Sequence, residues 1–243
     1  MKLDLLAFGV HPDDVELSCA GTLLVEKANG KKTGIIDLTQ GELGSRGTAE
    51  TRKKEAAHAA KILGVDIREN LMMADGFFRN DEEHQRSVIS AIRKYQPEII
   101  LCNAPEDRHP DHGRSAKLVA DAAFLSGLLK IETHDDNGNP QPHWRPKYVF
   151  NYVQDRLLKP DFVIDITTSF EKKLEAMKAY TTQFHSEGAS GPQTYISTPA
   201  FLESVIYRHK WFGKMIGVEY AEGFISEKMI GLRSFDSLVR ENT

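Results

Sequence analysis

Apolar and polar positions alternate along the first half of the chain in two recurring kinds of block. Short, nearly continuous apolar runs occupy 3–10, 33–39 and 98–103, the length and composition of strands buried on both faces. Between them the apolar positions take helical spacing, over 14–29, 49–63 and 81–95. Gly30 and Gly64 stand where the first two helices should stop, and Pro97 marks the end of the third. A weaker strand is predicted at 70–73 and a long helix at 112–129. Strands alternating with helices of this length predict an α/β fold, a Rossmann-like doubly wound and mostly parallel sheet with helices on both faces.

The second half is less regular. Residues 134–146 hold Asn-Gly-Asn-Pro and two further prolines, and read as a loop. Strands are predicted at 147–154 and 162–167, helices at 169–180 and 199–211, a loop at 188–192, and a further strand within 216–230. No internal repeat or Pro/Gly/Ser-rich linker divides the chain, so residues 1–243 are expected to form one domain.

Composition narrows the possible partners. A net charge of −4 leaves no basic excess for nucleic acid or an anionic membrane. No stretch approaches the ~18 continuous apolar residues of a membrane span, and Asp4 interrupts the apolar start at 1–8, which makes no secretory signal. Cys19 and Cys102 sit in apolar segments without zinc or redox spacing and are expected as buried, reduced thiols. A cytoplasmic protein is the expectation.

The chemistry concentrates in two segments. His11-Pro12-Asp13-Asp14 follows the first strand and opens the first helix. A histidine and a carboxylate three positions apart can face one metal ion, while the neighbouring carboxylate stays free to move a proton. The same residues would serve as ordinary helix caps, because aspartate is favoured in a first turn. Arg108-His109-Pro110-Asp111-His112-Gly113 repeats the arrangement after the fourth strand. In a sheet of order 3-2-1-4 the first and fourth strands are neighbours, and ligands bind in the crevice between their carboxyl ends. His11, Asp13 and Asp14 would therefore meet His109, Asp111 and His112. Two unrelated helix caps do not predict that meeting, whereas a metal site does.

Two histidines and one carboxylate form the ligand pattern of catalytic zinc, and ferrous iron accepts the same ligand types. The glycines of a dinucleotide fingerprint, a phosphate loop and a nucleophile-elbow serine are all missing. Gly41 to Thr48, after the second strand, opens toward the same end of the sheet, with Arg46 and Arg52 as cations able to pair with a substrate carboxylate. His58, His84, His134, His143 and His209 read as surface or packing residues. The pairs and triplets Glu26-Lys27, Lys53-Lys54 and Glu171-Lys172-Lys173 read as solvated helix faces. His185, beside the 188–192 loop, has no partner that assigns it a role.

Together these segments resemble the LmbE-like, or PIG-L, family of metal-dependent N-acetylglucosaminyl deacetylases. The matching residues are His11 to Asp14, Gly41 to Thr48 with Arg52, His109 to His112, Gln193 to Thr198 and Gly217 to Phe224. The arginine loop and the C-terminal segments are most similar to the bacillithiol branch, which acts on N-acetylglucosaminyl malate. The resemblance implies that His11, Asp14 and His112 bind the metal, that Asp13 is the general base, and that a protonated His109 stabilises the oxyanion. It further implies Arg52 as a substrate contact and Tyr195 as a hydroxyl near the oxyanion or substrate. Asp111 is expected to hold His109 charged and oriented. The implied cofactor is Zn2+, with Fe2+ as the alternative, and the implied assembly is a homo-oligomer, a hexamer. Neighbouring substrates within the family are inositol conjugates, chitooligosaccharides and thiol-conjugate amides, and a non-catalytic sugar-binding module on the same fold is the alternative of a different class.

Overall fold

The computed structural model describes residues 1–184 and 191–238. Its first half runs β1 (Leu5–Gly9), α1 (Asp14–Ser18), α2 (Ala20–Ala28), β2 (Thr33–Thr39), α3 (Ala49–Leu63), β3 (Ile67–Met73), α4 (Glu82–Tyr95), β4 (Ile99–Cys102) and α5 (Pro110–Leu125). The second half adds β5 (Tyr148–Tyr152), β6 (Phe162–Asp165), α6 (Phe170–Lys178), α7 (Pro199–Ile216) and β7 (Ala221–Ser226). These strands form one 7-stranded sheet of order β3-β2-β1-β4-β5-β7-β6. β1 pairs in parallel with β2 on one side and β4 on the other, so the chain reverses its winding between β1 and β4. β7 enters antiparallel between β5 and β6.

The strand side chains alternate between two cores, as a pleated strand requires. Leu5, Ala7, Ile35 and Leu101 pack with Leu23, Ala59, Met177 and Val205 from α2, α3, α6 and α7. Leu6, Phe8, Ile36 and Ile100 pack on the other face with Ile92 of α4 and Leu118 of α5. Cys19 and Cys102 are buried and free. Among the described residues no helix is long and apolar enough to cross a membrane.

Three departures from the sequence pattern have physical causes. The helix expected over 14–29 breaks at Cys19, whose φ of −138° ends α1 and begins α2. The break frees the amides of Gly21 and Thr22, and both donate to the Glu222 carboxylate, at 2.9 and 2.7 Å. Gly21 makes that approach possible, since a Cβ there would lie 2.9 Å from the Glu222 Oε1. Next, β3 begins at Ile67 rather than 70. Arg68 and Glu69 hid its start, because Arg68 is a buried cation that pairs with Asp37 of β2 at 2.8 Å and Glu16 of α1 at 2.5 Å. Finally, Lys173 does not lie on a solvated face. It is fully buried, with its ammonium 2.6 Å from Glu222.

Candidate active site

Gly9 ends β1, and the chain then turns sharply through His11, Pro12 and Asp13 into α1. Asp13 takes a φ of 130°, a conformation that non-glycine residues rarely adopt. Arg52 holds it there. One guanidinium nitrogen donates to the Pro12 carbonyl at 2.8 Å and faces the Asp13 carboxylate at 3.3 Å, and another donates to Gln183 Oε1 at 2.5 Å. Gly41, at φ +65°, lies against the same guanidinium, where a Cβ would approach Arg52 to 3.0 Å.

Asp14 faces the crevice between β1 and β4. Its Oδ2 accepts from the backbone of Val10 at 3.0 Å and His11 at 2.9 Å and from Asn103 Nδ2 at 3.0 Å, while Gln154 donates to Oδ1 at 3.2 Å. His112 Nε2 lies 3.2 Å from Asp14 Oδ1, and His11 Nδ1 lies 3.8 Å from Asp14 Oδ2. The donor atoms of His11, His109 and His112 all fall within 4.8 Å of one another. The six residues expected to meet across the switch point are therefore gathered at one crevice.

The outer ring nitrogens of two histidines are fixed by carboxylates. His11 Nε2 bonds Asp75 Oδ1 at 3.0 Å, and His112 Nδ1 bonds Asp107 Oδ2 at 2.5 Å. Each carboxylate orients its ring so that His11 Nδ1 and His112 Nε2 point toward Asp14, the usual arrangement behind metal-binding histidines. Asp75 and Asp107 were not singled out from the sequence. Their signal was positional: each carboxylate sits just past the carboxyl end of a parallel strand, β3 or β4.

The electrostatics of the cluster favour positive charge. Burial opposes charging His11, yet Asp111, Asp75 and Asp14 raise its ring to about 10. Burial likewise opposes charging His112, and Asp14 with Asp107 raises it to about 9. Asp14 is driven far below the ordinary carboxylate range, because the two histidines outweigh its burial. Protons would occupy this cluster in the absence of another positive charge, and a divalent ion bound there would displace them. Asp13 behaves oppositely. Burial raises its carboxyl to about 7, against the pull of Arg52.

The Asp111 carboxylate makes no hydrogen bond to the His109 ring. It accepts from Gly76 N–H at 2.9 Å, pairs with Arg114 at 2.7 Å, and stands 3.7 Å from His11 Nε2. Only the Asp111 backbone N–H reaches His109, donating to Nδ1 at 3.3 Å. Burial and the charges of His11 and His112 push the His109 ring below the ordinary histidine range. Arg46 and Arg52 line the cavity, and each is anchored to the protein by several of its donors. Arg46 Nε donates to the Thr182 carbonyl at 2.7 Å and Nη1 to the Pro192 carbonyl at 3.0 Å. Tyr195 lies at the rim, 54% exposed, with its hydroxyl donated to Asp155 Oδ1 at 3.1 Å. His209 is packing, donating from Nδ1 to the Val205 carbonyl at 2.6 Å. His185 lies outside the described residues.

The cavity above these groups encloses about 350 Å³. It is walled by the Gly41–Arg46 turn after β2, the Asp107–His112 segment after β4, Gln154 after β5, and α7. It sits where the sheet reverses its winding, the position expected of a ligand site in such folds.

Comparison with known proteins fits this geometry. The profile of the PIG-L family, GlcNAc-PI de-N-acetylase, matches residues 6–123. The conserved protein TT1542 from Thermus thermophilus superimposes with a TM-score of 0.83 and 35% identity, covering 95% of this chain and 98% of that one. The chain belongs to the PIG-L family. It is also 28% identical over 229 residues to the diacetylchitobiose deacetylase of Thermococcus kodakarensis, covering 90% of this chain and 81% of that protein. A probable N-acetyl-alpha-D-glucosaminyl L-malate deacetylase 2 of Bacillus anthracis is 26% identical over 187 residues, covering 72% and 78% respectively. As a PIG-L protein the chain carries both histidine segments inside the matched span, whereas Arg208, Tyr195 and Gln154 lie beyond it.

Proposed function

We infer that this PIG-L protein is a metal-dependent hydrolase that removes the N-acetyl group from N-acetylglucosaminyl malate, the deacetylation step of bacillithiol synthesis. The inference extends to the chain as one cytoplasmic domain assembled as a homo-oligomer. It rests above all on the contrast between two neighbouring carboxylates: Asp14 sits ionised between two oriented histidines, and Asp13 is strained, buried and raised to about 7. A pure binding site has no use for that second carboxylate.

His11 Nδ1, Asp14 and His112 Nε2 would hold a zinc or ferrous ion. When bound, such an ion lowers the pKa of a water from about 15.7 toward ~7 and polarises an amide carbonyl. Asp13 takes the proton of the attacking water as its oxygen bonds to the acetamide carbon. His109, with Nδ1 accepting from Asp111 N–H, carries its proton on Nε2 and presents it to the developing oxyanion as a neutral donor. Asp13 then delivers its proton to the amine nitrogen as the C–N bond breaks. Acetate and the free amino sugar result, and the carboxylate is restored.

Acetate release is measured on protein of known metal content, with N-acetylglucosaminyl malate, N-acetylglucosamine and N,N'-diacetylchitobiose side by side. Chelator-sensitive preference for the malate conjugate is expected. Preference for the chitobiose would keep the chemistry and remove the malate assignment.

The outer carboxylates give a separate expectation. Asp75→Asn and Asp107→Asn weaken metal affinity by about 10- to 100-fold, because each loosens the ring it orients. Titration of the ion against a competing chelator reads this directly, and unchanged affinity in both variants would place the ion elsewhere.

A further inference from the structure

Four arginines line the cavity: Arg46, Arg52, Arg108 and Arg208. Three are occupied. Arg46 is bound to backbone carbonyls, and Arg52 is bound to Pro12, Asp13 and Gln183. Arg108 pairs with Asp155 at 3.2 Å and lies 4.3 Å from the Tyr195 ring. Arg208, on α7, differs. Among the described residues its one hydrogen-bond acceptor is the Leu17 carbonyl, at a long 3.4 Å, and no carboxylate stands within ion-pair distance of it.

Leu17, Ile196 and Phe201 line the same cavity, and Phe201 lies two helical turns before Arg208 on the same face of α7. Burial pulls the guanidinium below the usual arginine range, more than the distant charges of Asp155 and Asp107 restore it. A half-buried arginine facing the cavity, with most of its donors lacking protein partners, is placed to pair with a bound anion.

We propose that Arg208 is the specificity-determining residue of this cavity, pairing with a carboxylate on the aglycone of the substrate. It selects an anionic conjugate over a neutral sugar. The assignment rests on the deacetylase reading, and it adds to Arg46 and Arg52 a residue of α7 outside the histidine segments.

The test compares the malate conjugate with its dimethyl ester on the metal-loaded protein and on Arg208→Gln. Wild type should bind the diacid more tightly than the ester by roughly 10- to 100-fold, the worth of one charge-assisted pair. In Arg208→Gln that ratio falls toward one, through KM rather than kcat. Because both ligands meet the same preparation, partial unfolding of the variant scales both signals and leaves the ratio intact. An undiminished ratio in the variant overturns the proposal, as does a wild type that binds acid and ester equally. Calorimetric binding of the two ligands needs no turnover. Tight, Arg208-dependent binding of the diacid without acetate release would therefore uphold Arg208 and remove the deacetylase reading. Acetate release from neutral sugars with no preference for the diacid would do the reverse.

Discussion

The Asp13→Asn variant is expected to lose about 10³-fold in kcat while keeping its metal and its fold, the range typical of a removed general base. Asparagine has nearly the same size and tolerates positive φ as well as aspartate does, so the 130° conformation at this position survives. Arg52 still finds the Pro12 carbonyl at 2.8 Å, which keeps the turn pinned. What disappears is the ability to accept a proton from water and return it to the amine. Metal content measured beside kcat separates the roles of the two adjacent carboxylates. Loss of both metal and activity would make Asp13 a ligand, and turnover within a few-fold of wild type would remove it from the proton path. Asp14→Asn is the matched comparison, because Asp14 stands between His11 and His112 and its loss should release the ion.

The second large effect is on stability. Glu222 and Lys173 are both fully buried and joined at 2.6 Å, and the same carboxylate accepts the free amides of Gly21 and Thr22. Glu222→Ala strands a buried ammonium and two backbone donors together, a change worth about 3–5 kcal/mol. For a chain of this length the thermal midpoint should fall on the order of 10 °C. Lys173→Met should cost less, since the carboxylate keeps its two amide donors. A pH dependence follows for Glu222→Gln. Burial already lowers the Lys173 pKa, and loss of the facing charge lowers it further. The unfolded chain then binds the proton more readily than the folded one over the range between the depressed folded value and the ordinary lysine value. Stability of this variant, relative to wild type, should rise as pH increases through that range and fall as pH decreases. Urea midpoints of both proteins at neutral and alkaline pH read the difference, and parallel curves would show that Lys173 is not the group responsible.

The fold was legible because its signals are local. Each of β1, β2 and β4 is an apolar run of strand length, and Gly64 stands where α3 needs a left-handed residue, at φ 67°. The order β3-β2-β1-β4 follows from alternating strands and helices, and it brings the two histidine segments together. The final insertion of β7 between β5 and β6 was not legible. Antiparallel pairing at that edge depends on which neighbour offers a free strand, not on the composition of 221–226.

Residue identity and spacing by themselves determined the α/β sheet, the crevice at its switch point, and the meeting of His11, Asp13 and Asp14 with His109 and His112. Side-chain partnership was decided only by the tertiary structure, because a charged residue's role depends on what lies within a few ångströms of it. Arg52 took Asp13 and the Pro12 carbonyl as partners, and Lys173 read as a solvated charge became half of a buried pair. Asp111 turned from His109 toward Arg114 and the His11 ring, while Asp75 and Asp107 took the places behind the histidines. Arg208, one basic residue in an ordinary helix when read along the chain, was left facing the cavity with its charge unpaired. Partners brought close by folding come from distant positions, and only the path of the backbone specifies which charges meet inside the protein.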